Sequence, residues 1–238
     1  MSDAPSRSSD DHDPSYIQVH ELSKIYSRTD GAVHALQGVT LTVARGEIVG
    51  LMGPSGSGKS TLLNLIGGLD RPTEGRVVVE ATDISKLSAD SLALYRREKV
   101  GFVFQDARLI PALTVYENVM LPLVPMQMPD DEKRSRVEMS LEECNITHRA
   151  QHLPGELSGG EQQRTAVARA MVNDPHIILA DEPTGELDPE NAARIVDLLR
   201  QINRDGRTVL VASHDANAMA QMPRLIKIRE GQLEDGQA

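Results

Sequence analysis

Short apolar blocks recur along the chain, at residues 17–19 (IQV), 47–52 (EIVGLM), 76–80 (RVVVE), 100–104 (VGFVF), 176–180 (HIILA) and 208–212 (TVLVA). Several are unbroken β-branched runs, the pattern of strands covered on both faces rather than on one. Between them, residues 60–67, 89–98, 161–172 and 190–204 space their apolar positions as helices do. Strands alternating with helices predict an α/β core on a mainly parallel sheet. Ahead of about residue 80 the connections shorten, which predicts an antiparallel β portion near the N-terminus. From residue 106 to about 157 no strand block occurs. There SRVEMSLEECN (135–145) has the spacing of an amphipathic helix, and LPLVPMQMPDDEK (121–133) is a connector broken by prolines. The middle therefore reads as a helical subdomain inserted into the core. The expected layout is an acidic disordered tail at 1–15, one domain at 16–232 and a short tail at 233–238. Within the domain the core is expected at 16–105 and 166–232, and the helical subdomain at 106–165.

Composition changes this picture in a few respects. Aromatic residues make up only 3% of the chain and Trp is absent, so the core must rest on aliphatic side chains. The formal net charge is -10, against the basic surplus of a phosphate-backbone binder, and no nucleic-acid partner is expected. Cys144 is the single cysteine, which rules out an internal disulfide. No apolar run approaches the ~18 residues of a membrane span, and the polar, acidic start is unlike a signal peptide. The expected location is cytoplasmic, with any membrane contact made through a partner.

The first candidate chemistry follows the block at 47–52. Gly53, Pro54, Ser55, Gly56, Ser57, Gly58, Lys59 and Ser60 fit G-x-x-x-x-G-K-[ST], and Thr61 continues into a helix. Glycines there let backbone N–H groups turn inward around phosphate oxygens, and the helix adds its positive end. Lys59 supplies a point charge for the outer phosphates of a nucleotide such as ATP, and Ser60 a hydroxyl for Mg²⁺. A flexible Gly/Ser turn with a solvated lysine would not need a strand before it and a helix after it.

The block at 176–180 runs into Asp181 and Glu182, carboxylates at the strand end where open α/β sheets bind ligands. Asp181 is suited to hold Mg²⁺, directly or through water, and Glu182 to act as general base or to orient the attacking water. His214 follows the block at 208–212 and Gln105 the block at 100–104, so both reach the same sheet edge. His214 is a candidate for the γ-phosphate, and Gln105 for Mg²⁺ or the attacking water.

A second glycine-bearing helix start, LSGGE at 157–161, raises a different question. Ser158 and Glu161 fit the S-x-x-E capping box, which needs no function. That reading leaves both glycines unexplained. A helix N-terminus without side chains in the way is also an anion site.

In this order, GPSGSGKST, Gln105, LSGGEQQR, ILADE, Leu187-Asp188 and His214 resemble the ABC-type ATPase subunits, over roughly residues 17–232. The resemblance implies the ABC ATPase fold, a P-loop NTPase core carrying a helical subdomain. It also implies that Leu157, Ser158, Gly159, Gly160 and Glu161 form a signature segment that meets the γ-phosphate of ATP held by a second copy of the chain. Two chains would thus sandwich two ATP molecules, and both glycines would be there for the approaching phosphate. Tyr26 would stack on adenine, Asp188 would lie at the dimer seam, and an integral membrane permease subunit would dock near 106–116. Glu161 departs from the usual Gln, and Glu186 stands where similar chains often carry Asn. LIGGLDRPTEG and LADEPTGELD look most like the branch of lipoprotein-release, macrolide-export and cell-division ATPases. This implies an ATPase on the inner face of the cell membrane, driving export or extraction by dimer closure. The same branch admits a regulatory ATPase that controls a cell-division or cell-wall partner without moving a substrate.

Overall fold

The computed structural model describes residues 15–28 and 31–234, so residues 1–14 of the expected acidic tail and 235–238 of the C-terminal tail lie outside the described residues. The first half runs β1 (Ile17–Arg28), β2 (Gly31–Val43), β3 (Ile48–Met52), α1 (Lys59–Ile66), β4 (Glu74–Val79), β5 (Thr82–Asp83), α2 (Ala89–Lys99) and β6 (Val100–Val103). There follow α3 (Val115–Met120), α4 (Asp130–Glu143), α5 (Gly159–Met171), β7 (Ile177–Asp181), α6 (Pro189–Arg204), β8 (Thr208–Ser213), α7 (Ala216–Met219), β9 (Arg224–Arg229) and β10 (Gln232–Leu233).

The solid aliphatic blocks become the centre of a six-stranded sheet, in the order β10-β9-β3-β8-β7-β6. Its pairings are parallel from β9 to β6, and only β10 runs antiparallel. Successive side chains on a strand point to opposite faces, and here both faces are covered. Val49, Leu51, Ile177, Leu179, Leu210 and Ala212 face a core shared with α1, α2 and a four-stranded antiparallel sheet, β2-β1-β4-β5. Ile48, Ile178, Ala180, Val209 and Val211 face the other core, under α3 to α6. Covering each such aliphatic side chain stabilises the fold by roughly 1.5–3 kcal/mol, and truncating fully buried Leu210 to Ala would cost about 2–5 kcal/mol.

Between β6 and β7 the described residues are helical, with 3-10 turns at Leu121–Leu123, Thr147–Arg149 and Pro154–Glu156 beside α3, α4 and α5. Helix α4 begins earlier than the apolar spacing at 135–145 indicates. Pro129 is its N-cap residue, and Asp130, Asp131 and Glu132 place negative charge on the positive end of the helix.

Two strands, β2 and β9, lacked an apolar block and escaped the sequence reading. The first part of β2 is exposed and only its end alternates, while β9 alternates Ile with Lys and Arg. β2 is the edge strand of its sheet, and β9 buries Ile226 and Ile228 on one face while Lys227 and Arg229 on the other stay exposed, so neither needs an unbroken aliphatic run.

Candidate nucleotide site and signature helix

The ends of β3, β7 and β8 converge on one edge of the six-stranded sheet, and α1 starts there. Its N-cap is Gly58, at φ 108, with no side-chain capping bond, so the first amides of the helix are left for another acceptor. The loop from Gly53 to Gly58 is shaped by neighbouring backbone. A Cβ on Gly53 would stand 2.1 Å from the Ile228 carbonyl oxygen, and one on Gly58 2.5 Å from that of Ala35. The Gly231 amide donates to the Ser57 carbonyl at 3.0 Å, which pins the loop from the β9–β10 turn. Pro54, Ser55 and Gly56 form the exposed crest. Lys59 is buried, and its Nζ donates to the carbonyls of Gly53 (2.8 Å) and Pro54 (3.1 Å).

The acidic residues meet this loop. Ser60 Oγ donates to Asp181 Oδ1 at 2.9 Å. Burial lifts the Asp181 carboxyl above its ordinary range; the Ser60 hydrogen bond opposes this, and the neighbouring Glu182 charge adds to it. Glu182 has φ 47, and its amide donates to the Ala212 carbonyl at 2.8 Å. Its carboxylate lies between two partners: Oε1 is 3.4 Å from Lys59 Nζ, and Oε2 is 2.9 Å from His214 Nδ1. The His214 amide donates to the same Oε2 at 3.2 Å. Lys59, Ser60, Asp181, Glu182 and His214 are therefore brought together. Gln105 is held elsewhere on that edge: its Nε2 lies 3.4 Å from Glu186 Oε1, and its side chain packs over Gly185.

Among the described residues no group of three or more His, Cys, Asp or Glu side chains is arranged to hold a metal. The Ser60 hydroxyl and the half-buried Asp181 carboxylate, both hard oxygen donors, do suit Mg²⁺, which keeps several waters and takes phosphate oxygens beside one or two protein ligands.

Helix α5 opens differently. Ser158 is its N-cap and forms the full capping box with Glu161. Glu161 Oε2 accepts from the Ser158 amide and hydroxyl, each at 2.8 Å, while Oε1 accepts from Arg149 Nε at 2.8 Å. The Ser158 amide is the largest influence holding Glu161 down to about 2, against the cost of burial, with Arg149 assisting. The carboxylate is thus turned back on its own helix. The two glycines part company. Gly160 is buried, and a Cβ there would lie 2.5 Å from Asn191 Oδ1 of α6. Gly159 is exposed, with only the Leu187 side chain near, at 3.3 Å. Packing against Asn191 of α6 thus gives Gly160 a role within the chain, whereas Gly159 has only Leu187 beside it. Leu157 is buried beneath the turn. Asp188 caps α6, accepting from the amides of Glu190 (3.1 Å) and Asn191 (3.0 Å).

Tyr26 reaches α1 from the antiparallel sheet. Its hydroxyl donates to Asp70 at 2.9 Å. Near 106–116, the buried Asn118 amide donates to the carbonyls of Ile110, Leu113 and Thr114 and shapes the turn, leaving Ile110 43% exposed.

One set of contacts gave no sequence signal. Gln163 of α5, only 2% exposed, donates to the Phe104 carbonyl at 2.9 Å, and Arg169 donates to the carbonyls of Arg108 (2.7 Å) and Ala107 (2.6 Å). The helix that begins at Gly159 thus grips the chain on both sides of Gln105. Read along the sequence, EQQR and ARA look like the polar face of any helix.

Comparison with known proteins agrees with this arrangement. The ABC transporter family is matched over residues 36–185. An ABC transporter ATP-binding protein of Methanocaldococcus jannaschii, MJ0796, is 46% identical over 223 residues, covering 92% of this chain and 95% of that one. The macrolide export ATP-binding/permease protein MacB of Hyphomonas neptunium is 44% identical over 220 residues. There the match covers 92% of this chain but 34% of MacB, so the chain spans about a third of that relative's length. A solved structure of the MJ0796 cassette, dimeric in a post-hydrolysis state with ADP and Pi, superposes with a TM-score of 0.85 at 44% identity, covering 92% of this chain and 96% of that one. With its phosphate loop, acidic strand end and capped glycine helix on this α/β frame, the chain belongs to the ABC transporter family and is one of its nucleotide-binding ATPases.

Proposed function

We propose that two copies of this chain close around two ATP molecules and that closure drives a separate membrane subunit in export or extraction. In each site one copy binds the nucleotide. The free backbone amides of the loop that ends at Ser60, with Lys59, take the β- and γ-phosphates. Ser60 and Asp181 would hold Mg²⁺, which when bound neutralises charge on the phosphate oxygens. Glu182 is the base or water-orienting group, kept in place by His214, and Gln105 contributes to the γ-phosphate side. The other copy supplies Ser158 and the exposed amides beginning at Gly159, and Asp188 lies at the seam.

The observation that carries this reading is the uneven state of the two helix starts. The loop before α1 already gathers Lys59, Ser60, Asp181, Glu182 and His214, whereas α5 presents an exposed glycine with only the movable Leu187 side chain near it. Among the described residues no hydrogen bond or ion pair joins the two starts within the chain. The dimeric MJ0796 cassette and the permease half named in MacB support the partners proposed. No helix among the described residues is long and apolar enough to cross a membrane. The hold of Gln163 and Arg169 on the segment after Gln105 gives closure a route to the docking surface at 106–116.

Glu182→Gln tests the proposal. It should bind ATP with affinity close to that of the native chain, lose turnover by about 10²–10⁴-fold, and sediment as a dimer with ATP and as a monomer without it. A variant that stays monomeric at saturating ATP, alone and beside its membrane subunit, would overturn the shared site.

A further inference from the structure

Lys24 and Tyr26 are two apart on β1 and so share one face of the strand. Both reach the same carboxylate. Tyr26 donates to Asp70 Oδ2 at 2.9 Å and Lys24 to Asp70 Oδ1 at 2.7 Å. Lys24 Nζ also lies over the tyrosine ring, 4.8 Å from its centroid, and donates to the Arg71 carbonyl at 2.7 Å. Asp70 is itself fixed to the end of α1. Its amide and that of Leu69 both donate to the Asn64 carbonyl, at 3.3 and 2.8 Å. The carboxylate that holds the hydroxyl is therefore tied to α1, whose N-terminus follows the phosphate loop. Burial acts against the Asp70 carboxylate, but hydrogen bonds from Lys24, the Arg71 amide and Tyr26 keep it ionised below its usual range.

We infer that Asp70 and Lys24 are positioning residues for the nucleobase, holding the Tyr26 ring at a set distance from the phosphate loop so that one face stays open to a stacking purine. This rests on the reading of Tyr26 as the stacking residue. The ring belongs to the antiparallel sheet and the phosphate loop to the parallel one, so without a tether the span between base and phosphates would vary. A cation on one ring face polarises the aromatic system and reserves the other face for the base.

The test compares ATP with inorganic tripolyphosphate, which has phosphates and no base, as a competitor for the same loop. Tyr26→Ala should raise the KM for ATP roughly ten- to hundredfold. Asp70→Ala and Tyr26→Phe should each raise it about three- to tenfold, with kcat within about twofold and tripolyphosphate affinity unmoved. Asp70→Asn, which keeps an acceptor for the phenol, should restore most of the ATP affinity. The double variant Tyr26→Phe/Asp70→Ala should be no worse than the poorer single one, because both remove one contact. If Tyr26→Ala leaves ATP binding intact, the stacking reading fails and the inference fails with it. If Tyr26→Ala weakens ATP but Asp70→Ala does not, or weakens tripolyphosphate equally, stacking stands and the positioning role is overturned.

Discussion

Two helices in this chain begin with glycine and serine, and they begin in opposite ways. Ahead of α1, Gly53 and Gly58 are crowded by the backbones of β9 and β2, and Gly58 sits at φ 108 with no capping side chain. Ahead of α5, Ser158 and Glu161 complete a capping box, and Gly159 faces outward with little around it. In the first case glycine is the only residue that fits the path of the chain. In the second it keeps the approach to a helix end clear. The motif letters are similar, yet one start is a finished cradle and the other offers a surface to something outside it. Gly160 belongs to neither class, since its missing side chain makes room for Asn191 within the same molecule.

The contrast is open to direct attack, most severely at the cradle. Gly58→Ala places a Cβ 2.5 Å from the Ala35 carbonyl at a left-handed φ, so it should abolish ATP binding and cost about 1–3 kcal/mol of stability, read by calorimetry and by urea unfolding. Preserved affinity would show that the cradle tolerates a different path.

Next comes the pair in the second start. Gly160→Ala should destabilise the chain by about 1–3 kcal/mol through overpacking against Asn191, and trimming the neighbour with Asn191→Ala should recover part of that loss. Gly159→Ala, in a helical turn with only a movable leucine nearby, should leave stability unchanged or raise it by about 0.5–1 kcal/mol, while turnover falls at least about tenfold. Equal losses of stability at the two positions would erase the distinction between packing and access.

The smallest effect concerns the cap. Glu161 is held down to about 2 in the folded chain, below the ~4.3 of an unfolded glutamate. Its folded pKa is depressed, so its contribution to stability is present above about 4.3 and is lost as pH falls from there toward about 2. Melting temperatures of the native chain and of Glu161→Gln should therefore converge as pH falls through that window. A constant gap between the two curves would remove the carboxylate from the cap's energetics.

Much of the site was legible because its residues follow aliphatic blocks at short fixed distances. Strands that end at Met52, Asp181 and Ser213 deliver Lys59, Glu182 and His214 to one edge. What stayed hidden depends on partners far away in sequence. Gln105 gives no sign that it rests against Glu186, nor Gln163 that it holds the Phe104 carbonyl, nor Asp70 that it secures Tyr26. The same holds for the strands: β9 reads as a charged segment until β3 is placed beside it.

One backbone angle carries a further consequence. Glu182 leaves β7 at φ 47, a conformation that costs an L-residue roughly 1–2 kcal/mol over the right-handed one and that glycine adopts freely. The carboxylate proposed for water activation is therefore kept at a thermal disadvantage. Glycine at position 182 would relieve that backbone cost but strip buried Lys59 of its facing carboxylate, so the local strain and the charge that the site uses come together in one residue.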